Sequence, residues 1–276
     1  MRRVIISADD FGLSVEVNEA VELAHRDGLL STASLMVAGE AAADAVRRAR
    51  ALPGLRVGLH LVVIEGPAVL PAVAIPALVD ATGQFPLDQL RLGVGYFFRR
   101  EVRRQLAAEI RAQFAAFAAT GLPLDHANAH KHMHLHPTVG RLMIEAGLHH
   151  GLRAVRVPSE PTAVLAACGT RVGVGDRALR RWSGVLRRQA VRAGLRVNDH
   201  AFGLAWSGHM TAERLGRLAA HLPDGLSEIY LHPAVRQGPL LRRLMPGYEP
   251  QAELAALLDP AVRRALADVE LTTYGV

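Results

Sequence analysis

Hydrophobic and polar positions divide the chain into two alternating kinds of segment. Short apolar runs rich in β-branched residues alternate with longer stretches of Ala, Leu and Arg that have the spacing of amphipathic helices. The pattern predicts strands at 3–8, 31–37, 56–63, 125–130, 154–158 and 228–233, with 271–275 as a candidate seventh. It predicts helices at 15–27, 40–51, 99–119, 137–150, 176–194, 211–221 and 250–267.

Strands that alternate with helices of ten to twenty residues predict right-handed βαβ units and a parallel sheet. Six or seven such units favour an α/β fold in which a barrel of about seven parallel strands closes or nearly closes. No linker rich in Pro, Gly or Ser divides the sequence, so we expect one domain over 1–276. Two stretches without clear periodicity, 64–95 and 159–175, are expected to be loop insertions near the pocket.

The composition narrows the choice of function. Half of the 276 residues are apolar, the formal net charge is +6, and Cys168 is the only cysteine, so a bound ion would need nitrogen and oxygen ligands. The arginines are dispersed along helical segments, which favours solvated helix faces over a nucleic-acid site and leaves weak attraction to an anionic bilayer open. No apolar run reaches a membrane span, and the N-terminus does not have the pattern of a signal peptide, so a cytoplasmic location is expected.

Residues that bind metals or transfer protons follow several predicted strands. Asp9 and Asp10 end the first strand, His60 lies on the third, His130 follows the fourth and His232 ends the sixth. The carboxyl ends of parallel strands share one rim of a barrel, so we expect these groups to converge.

The adjacent aspartates are expected to have different roles. Gly12 permits a turn after the strand, so both carboxylates can face one cavity. Two neighbouring carboxylates repel unless a cation holds both ionised, and an ion on one would leave the other as a base. The alternative, an N-cap of the helix near residue 15, is better served by Ser14.

Four histidines alternate in the stretch HANAHKHMHLHP at 126–137. On a strand, residues two apart are about 6.6 Å from each other, whereas metal ligands lie about 2 Å from their ion. At most one or two of His130, His132 and His134 can therefore bind one ion with Asp10 and His60. For each histidine alone, a solvated or hydrogen-bonded side chain remains the alternative.

The motifs ADDFG, GLH, the histidine-alternating stretch that ends in proline, and E-x-x-x-HP occur in an order that resembles the YdjC-like carbohydrate deacetylases. The stretch HKHMHLHP is most similar to the hopanoid-biosynthesis-associated branch. The resemblance implies an irregular β/α barrel, similar to polysaccharide deacetylases, and one divalent ion held by Asp10, His60 and His130. It also implies Asp9 as general base and His232 as general acid. The chain departs from the family pattern at Asn128-Ala129, where Asp-Ser is usual, so a carboxylate that would orient a ligand is lost.

The expected reaction is metal-assisted removal of an N-acetyl group from an amino sugar, with zinc or magnesium as the ion. The resemblance implies an N-acetylglucosaminyl hopanoid as substrate, handled at the inner face of the membrane. Contacts with the substrate or with the ligands are expected from His132, His134, Asn128 and Arg156. Arg156 could instead hydrogen-bond to Asp9, or simply form a surface salt bridge. The alternatives are a non-catalytic sugar- or metal-binding barrel, a deacetylase of soluble chitooligosaccharides, and an arginine-driven nucleic-acid binder.

Overall fold

The computed structural model describes residues 1–170 and 175–275, and in them every pairing between strands is parallel. The strands are β1 (Arg2–Phe11), β2 (Thr32–Leu35), β3 (Arg56–Leu61), β4 (Leu124–Ala129), β5 (Ala154–Val155), β6 (Arg196–Val197), β7 (His200–Phe202), β8 (Gly225–Leu231) and β9 (Glu270–Leu271). They form one sheet in the order β6-β5-β4-β3-β2-β1-β8-β7, with β9 also on β1. The predicted parallel β/α barrel is therefore confirmed.

Helices cover the sheet between the strands. They are α1 (Val15–Arg26), α2 (Ala42–Arg50), α3 (Gln89–Phe98), α4 (Arg100–Ala119), α5 (Pro137–His149), α6 (Thr162–Ala167), α7 (Gly175–Arg192), α8 (Ala212–Ala220), α9 (Pro239–Leu244), α10 (Pro250–Leu258) and α11 (Pro260–Ala265). None of the described helices is long and apolar enough to cross a membrane.

The two ends of the strand order, β6 and β7, are separated by only two residues of sequence. One of these, Asn198, is fully buried and accepts a hydrogen bond from the backbone N–H of Val157 at 2.7 Å. Its amide nitrogen donates to the carbonyl oxygens of Val157 and His200, at 2.9 and 2.8 Å. These side-chain hydrogen bonds link the segment that follows β5 to the first residue of β7.

Strand β1 occupies the centre of the fold. Its residues from Val4 to Phe11 are buried on both faces, because other strands flank it and helices cover it. The polar members of this buried run, Ser7, Asp9 and Asp10, lie toward its carboxyl end. A strand that carries buried acids must supply them with partners, since an unpaired buried charge is costly.

Several predicted boundaries were wrong for local reasons. The helix predicted at 250–267 is divided into α10 and α11, because Pro260 cannot continue a helix and Asp259 caps the second one. The strand predicted at 125–130 ends at Ala129, and residues 130–135 form a turn. The hydrophobic pattern contains no signal for β6 and β7, which have only two and three residues.

The two predicted loop insertions contain helices. A short 3₁₀ turn at Ala72–Ala74 and most of α3 lie in 64–95, and α6 lies in 159–175. Gly93 and Gly95 interrupt the apolar spacing of α3, which hides the helix from a periodicity argument. Residues 171–174, within the second predicted insertion, lie outside the described residues.

Candidate active site

The chain turns sharply where β1 ends. Asp10 has a φ of 61° and Gly12 a φ of 94°, both in the left-handed region. A Cβ on Gly12 would lie 2.9 Å from the carbonyl oxygen of Met36, so glycine is required there sterically as well. The helix that follows is capped by Ser14, which accepts from the backbone N–H of Val17. Both aspartates therefore remain available for other contacts.

Asp10 meets two histidines, His60 on β3 and His130 immediately after β4. Its Oδ1 lies 3.3 Å from Nε2 of His60 and 3.1 Å from Nδ1 of His130. One atom from each of the three residues lies within 4.8 Å of the others, and Asp10 and His60 are buried. Two ligands that are each about 2 Å from one tetrahedral ion are about 3.3 Å apart, so the spacing fits a small divalent cation.

The electrostatics of Asp10 also fit a cation. Burial by itself would raise the pKa of Asp10, but the charge and hydrogen bonds of His130 and His60 hold that pKa well below its ordinary value. Its second oxygen, Oδ2, is buried without a hydrogen-bond partner among the described residues. A buried carboxylate oxygen with no donor is an available ligand atom.

Buried side chains form a hydrogen-bonded network on the Nδ1 side of His60. Nδ1 of His60 lies 2.6 Å from the amide of Asn128, which lies 2.8 Å from Oγ of Ser34. Ser34 in turn lies 3.1 Å from Nε2 of His126, whose Nδ1 is 3.0 Å from Oδ2 of Asp125. Gly58 makes room for this network, since a Cβ there would lie 2.5 Å from the ring of His126. The network fixes the orientation of the His60 ring.

Asp9 points away from Asp10 toward a buried arginine. Arg156 donates to both carboxylate oxygens of Asp9, at 2.5 and 2.9 Å, and to both oxygens of Glu228, at 2.9 and 2.7 Å. Ser7 lies between the two acids and bonds to Arg156 and Glu228. Arg156 is fully buried, so the alternative prediction of a surface salt bridge is wrong. Of the contacts predicted for Arg156, the structure shows the hydrogen bonds to Asp9.

Burial would raise the pKa of Asp9, yet the charge and hydrogen bonds of Arg156 hold it far below its ordinary value. The same pairing, with Asp9 and Glu228, keeps the pKa of Arg156 well above its ordinary value despite burial. Asp9 is consequently ionised at any working pH and is held in one orientation by two hydrogen bonds.

The remaining histidines of the 130–136 stretch have different partners. Lys131 and His132 have φ values of 49° and 54°, so the residues form a left-handed turn and the assumed strand spacing was wrong. His132 bonds through Nε2 to the hydroxyl of Tyr230 at 2.9 Å, and His134 to the carbonyl oxygen of Arg156 at 3.1 Å. Of this stretch, the turn brings only His130 to Asp10.

His232 follows β8 and lies at the same rim. Its backbone N–H donates to Oε2 of Glu253 at 2.5 Å, and its Nδ1 lies 4.0 Å from the same oxygen. Its ring meets the ring of Tyr248 edge to face at 5.2 Å between centroids. Burial raises the pKa of Glu253, which lies on α10.

Sequence reasoning missed several residues of this site. Glu228 begins the E-x-x-x-HP motif, so its position was visible although its pairing with Arg156 was not. His126 begins the histidine stretch at 126–137, although its contact with Ser34 was not visible. Glu253, Tyr230 and Ser34 have no motif that marks them. Their roles arise only when distant strands and helices come together.

The fold and the Asp10, His60 and His130 cluster define a β/α barrel with a candidate metal site at the carboxyl ends of its strands. The sequence model of the YdjC-like protein family matches residues 3–268, and the chain belongs to that family. This confirms the family that the motifs predict, while the hopanoid-associated branch stays a prediction.

Relatives of this chain carry the name carbohydrate deacetylase. One from Geobacillus stearothermophilus is 29% identical over 276 residues, which cover 99% of this chain and 97% of that protein. One from Brevibacillus brevis is 39% identical over 137 residues, and that alignment spans 50% of this chain and about half, 52%, of the relative. A crystal structure from Enterococcus faecalis V583, of a proposed cellobiose-phosphate cleavage protein, is 21% identical. It has a TM-score of 0.77 over 99% of this chain and 97% of that one, and this likeness concerns the fold alone.

Proposed function

We propose that the protein is a metal-dependent carbohydrate N-deacetylase that hydrolyses the acetamide of an N-acetylated amino sugar and releases acetate. The observation that carries the proposal is the pair of consecutive aspartates with separate partners. Asp10 lies with His60 and His130, and Asp9 lies in a buried ion pair beside them. The deacetylase relatives support the same reaction.

Asp10, His60 and His130 would hold the ion, and a divalent ion bound there would supply polarisation of the acetyl carbonyl and a water of lowered pKa. The ligand set of one carboxylate and two imidazoles suits zinc, and magnesium is the alternative. Asn128 orients His60 through its Nδ1, which leaves Nε2 directed at Asp10.

Asp9 is the proposed general base. It is ionised because of Arg156, and both its oxygens are fixed by that guanidinium, so it accepts the proton of the attacking water from a defined direction. Arg156 and Glu228 act on the reaction only through the position and charge of Asp9.

His232 is the proposed general acid. An amine is a poor leaving group unless it is protonated, and an imidazole at the rim is a group that can donate that proton. Glu253 holds the backbone of His232, and the Tyr248 ring packs on its imidazole. Among the described residues, Nδ1 of His232 is buried and has no hydrogen-bond partner, and Oε2 of Glu253 lies 4.0 Å from it.

The finer proposal concerns the carrier of the sugar, an N-acetylglucosaminyl hopanoid at the inner face of the membrane. Exposed apolar side chains of α3, close to the turn that carries His130, support a lipid-carried substrate. Soluble chitooligosaccharides are the alternative. Purified protein should be offered an N-acetylglucosaminyl lipid in detergent and chitooligosaccharides of increasing length, and the ratio of kcat/KM values decides between them.

The reaction itself is tested by acetate release with and without a chelator, followed by addition of zinc or magnesium. Asp9→Asn, His130→Ala and His232→Ala should each lower kcat by roughly a hundredfold or more, whereas His149→Ala, at an exposed position, should not. Full activity after chelation, or in all three site variants, would refute the proposal. Sugar binding that survives in Asp9→Asn and His232→Ala, with no turnover by the wild type, would favour a non-catalytic binding barrel.

A further inference from the structure

Helix α3 is apolar on two opposite faces. Its inner face is formed by Leu92 and Tyr96, which are buried, and the hydroxyl of Tyr96 donates to the carbonyl oxygen of Val63. Leu87, just before the helix, and Leu90, Val94 and Phe98 are 67%, 80%, 50% and 78% exposed. Their spacing of three or four residues aligns them along the outer face. We call this row the outer stripe of α3.

The outer stripe lies next to the candidate active site. His136 bonds through Nε2 to the carbonyl oxygen of Gly93 in the middle of α3. The ring of Phe97 lies 4.1 Å from the ring of His136 and 6.0 Å from that of Trp182, which is 38% exposed. His136 closes the turn that begins at His130, so the stripe and the rim of the barrel are joined through one short segment.

Four arginines lie close in sequence to the outer stripe. Arg91 lies within α3, and Arg99, Arg100 and Arg103 follow Phe98; all four are exposed. Among the described residues, none of these four side chains has an ion-pair partner, whereas the neighbouring Arg104 is paired with Glu101. Unpaired cations beside exposed aromatic and aliphatic side chains are the pattern of a helix that lies in a membrane interface.

We propose that the outer stripe of α3 docks on an anionic lipid bilayer. Apolar side chains would enter the acyl boundary, and the four arginines would contact the phosphates of anionic headgroups. A second copy of the chain is the less favourable occupant, because a two-fold interface would place the same arginines against each other. The net charge of +6 acts in the same direction as the local cluster.

Docking through α3 would bring the rim with Asp10, His60 and His130 close to the bilayer surface. The purpose of this approach rests on the proposed function, since docking would give the site access to sugars carried by membrane lipids. Binding to the bilayer needs no turnover, so the two proposals can fail separately.

Vesicle sedimentation tests the docking. The full chain is mixed with vesicles of phosphatidylcholine alone, or of equal parts phosphatidylcholine and phosphatidylglycerol, over a series of salt concentrations. We expect binding to the anionic vesicles that weakens with salt. The double variant Leu90→Ser with Phe98→Ser should lower the partition coefficient by on the order of tenfold or more. Arg99→Glu with Arg100→Glu should lower it by about fivefold or more per residue and flatten the salt dependence.

Two matched controls keep the test specific. Leu148→Ser changes an exposed leucine at the far end of α5, about 18 Å along the helix from His136. Arg264→Glu changes an exposed arginine of α11, which packs against α8 and α10 instead of α4 and α5. Both should bind anionic vesicles as the wild type does, and a loss equal to that of the α3 variants would overturn the proposal.

Wild-type protein that binds neither vesicle, or binds both equally, would also overturn it. So would self-association in the ultracentrifuge that Leu90→Ser with Phe98→Ser abolishes, since a second copy would then be the occupant. Acetate release from a soluble acetylated sugar is measured on the same α3 variants and should be unchanged. If the wild type releases acetate from neither a soluble nor a lipid-carried acetylated sugar yet binds anionic vesicles, the proposed function fails and the docking surface stands.

Discussion

The side-chain amide of Asn128 lies 2.6 Å from Nδ1 of His60. Its other terminal atom lies 2.8 Å from Oγ of Ser34 and 3.0 Å from Nη1 of Arg156. Both His60 and Arg156 need an acceptor if His60 is to bind an ion through Nε2, but an amide has one oxygen only. If the amide oxygen of Asn128 faces His60, the NH₂ group of Asn128 lies against the guanidinium of Arg156. If the amide oxygen faces Arg156 instead, the NH₂ group donates to Nδ1 of His60. The ring proton of His60 is then on Nε2, the nitrogen that faces Asp10.

Asn128→Asp is therefore expected to tighten divalent-ion binding. A carboxylate can accept from His60, Ser34 and Arg156 together, and changes in such supporting partners alter metal affinity by about 10- to 100-fold. Without an ion, the added charge lies among Asp9, Asp10 and Glu228, so the melting temperature should fall. Competition with a fluorescent chelator measures the zinc affinity. Thermal scans should show that the substitution lowers the melting temperature without zinc and increases the stabilisation that zinc provides.

Asn198→Asp is the matched control, because Asn198 is equally buried but donates to two backbone carbonyls. It should lower the melting temperature with or without the ion. An Asn128→Asp protein with unchanged or weaker zinc affinity would contradict the proposed role of this amide.

The Ser34 hydroxyl is expected to act on the ion through two intervening side chains. Ser34→Ala leaves the amide of Asn128 and Nε2 of His126 without their shared partner, at a cost of about 1–3 kcal/mol in the free energy of unfolding. It should also weaken zinc binding by about tenfold, since Asn128 would no longer hold His60 in one orientation.

Ser227→Ala provides the comparison, because Oγ of Ser227 is buried and has no hydrogen-bond partner among the described residues. Removal of that hydroxyl should leave both stability and affinity unchanged or slightly improved. Equal effects of the two substitutions on zinc affinity would show that the hydrogen-bonded network on the Nδ1 side of His60 does not contribute to ion binding.

Arg156 is expected to be the most sensitive residue of the buried ion-pair cluster. Arg156→Met leaves the carboxylates of Asp9 and Glu228 without their cation, which should cost about 3–5 kcal/mol in the free energy of unfolding. Arg156→Met combined with Asp9→Asn and Glu228→Gln removes the unpaired charges and should regain most of that stability without regaining acetate release. Urea unfolding and turnover measured on the same preparations separate the two effects.

The sequence was sufficient to predict that Asp10, His60 and His130 come together, because ADDFG, GLH and the histidine stretch lie at strand ends, and a parallel barrel brings strand ends together. It was insufficient to predict the side chains that support this cluster. Arg156 is paired with Asp9, 147 positions away in sequence, and Glu253 with the backbone of His232. Such pairs depend on how strands and helices pack, which local periodicity does not encode. The left-handed turn at Lys131 and His132 was hidden for a similar reason, since alternating histidines also fit a strand.

His134 is expected to make the protein less stable as the pH falls. Burial, with the charges of His132 and Arg156, holds the pKa of His134 well below its ordinary value, so the folded protein keeps this ring neutral. The unfolded chain binds a proton there below about pH 6.5, and a folded-state pKa below the unfolded one means that stability is lost as the pH decreases. His132 behaves in the same way, because burial and Arg156 lower its pKa to about 3.

The slope due to each histidine is about 1.4 kcal/mol per pH unit between about pH 6.5 and 4.5. His134→Gln can still donate to the carbonyl oxygen of Arg156 but does not titrate, so it should remove one histidine's share of the slope. The free energy of unfolding in urea, measured with chelator present, is compared between the variant and the wild type over this range. The difference between the two curves removes the contributions of the other titrating groups. One of these is Glu253, whose raised pKa makes the folded protein more stable as the pH falls. Parallel curves for the two proteins would mean that His134 is already protonated in the folded state, against the neutral ring that its burial requires.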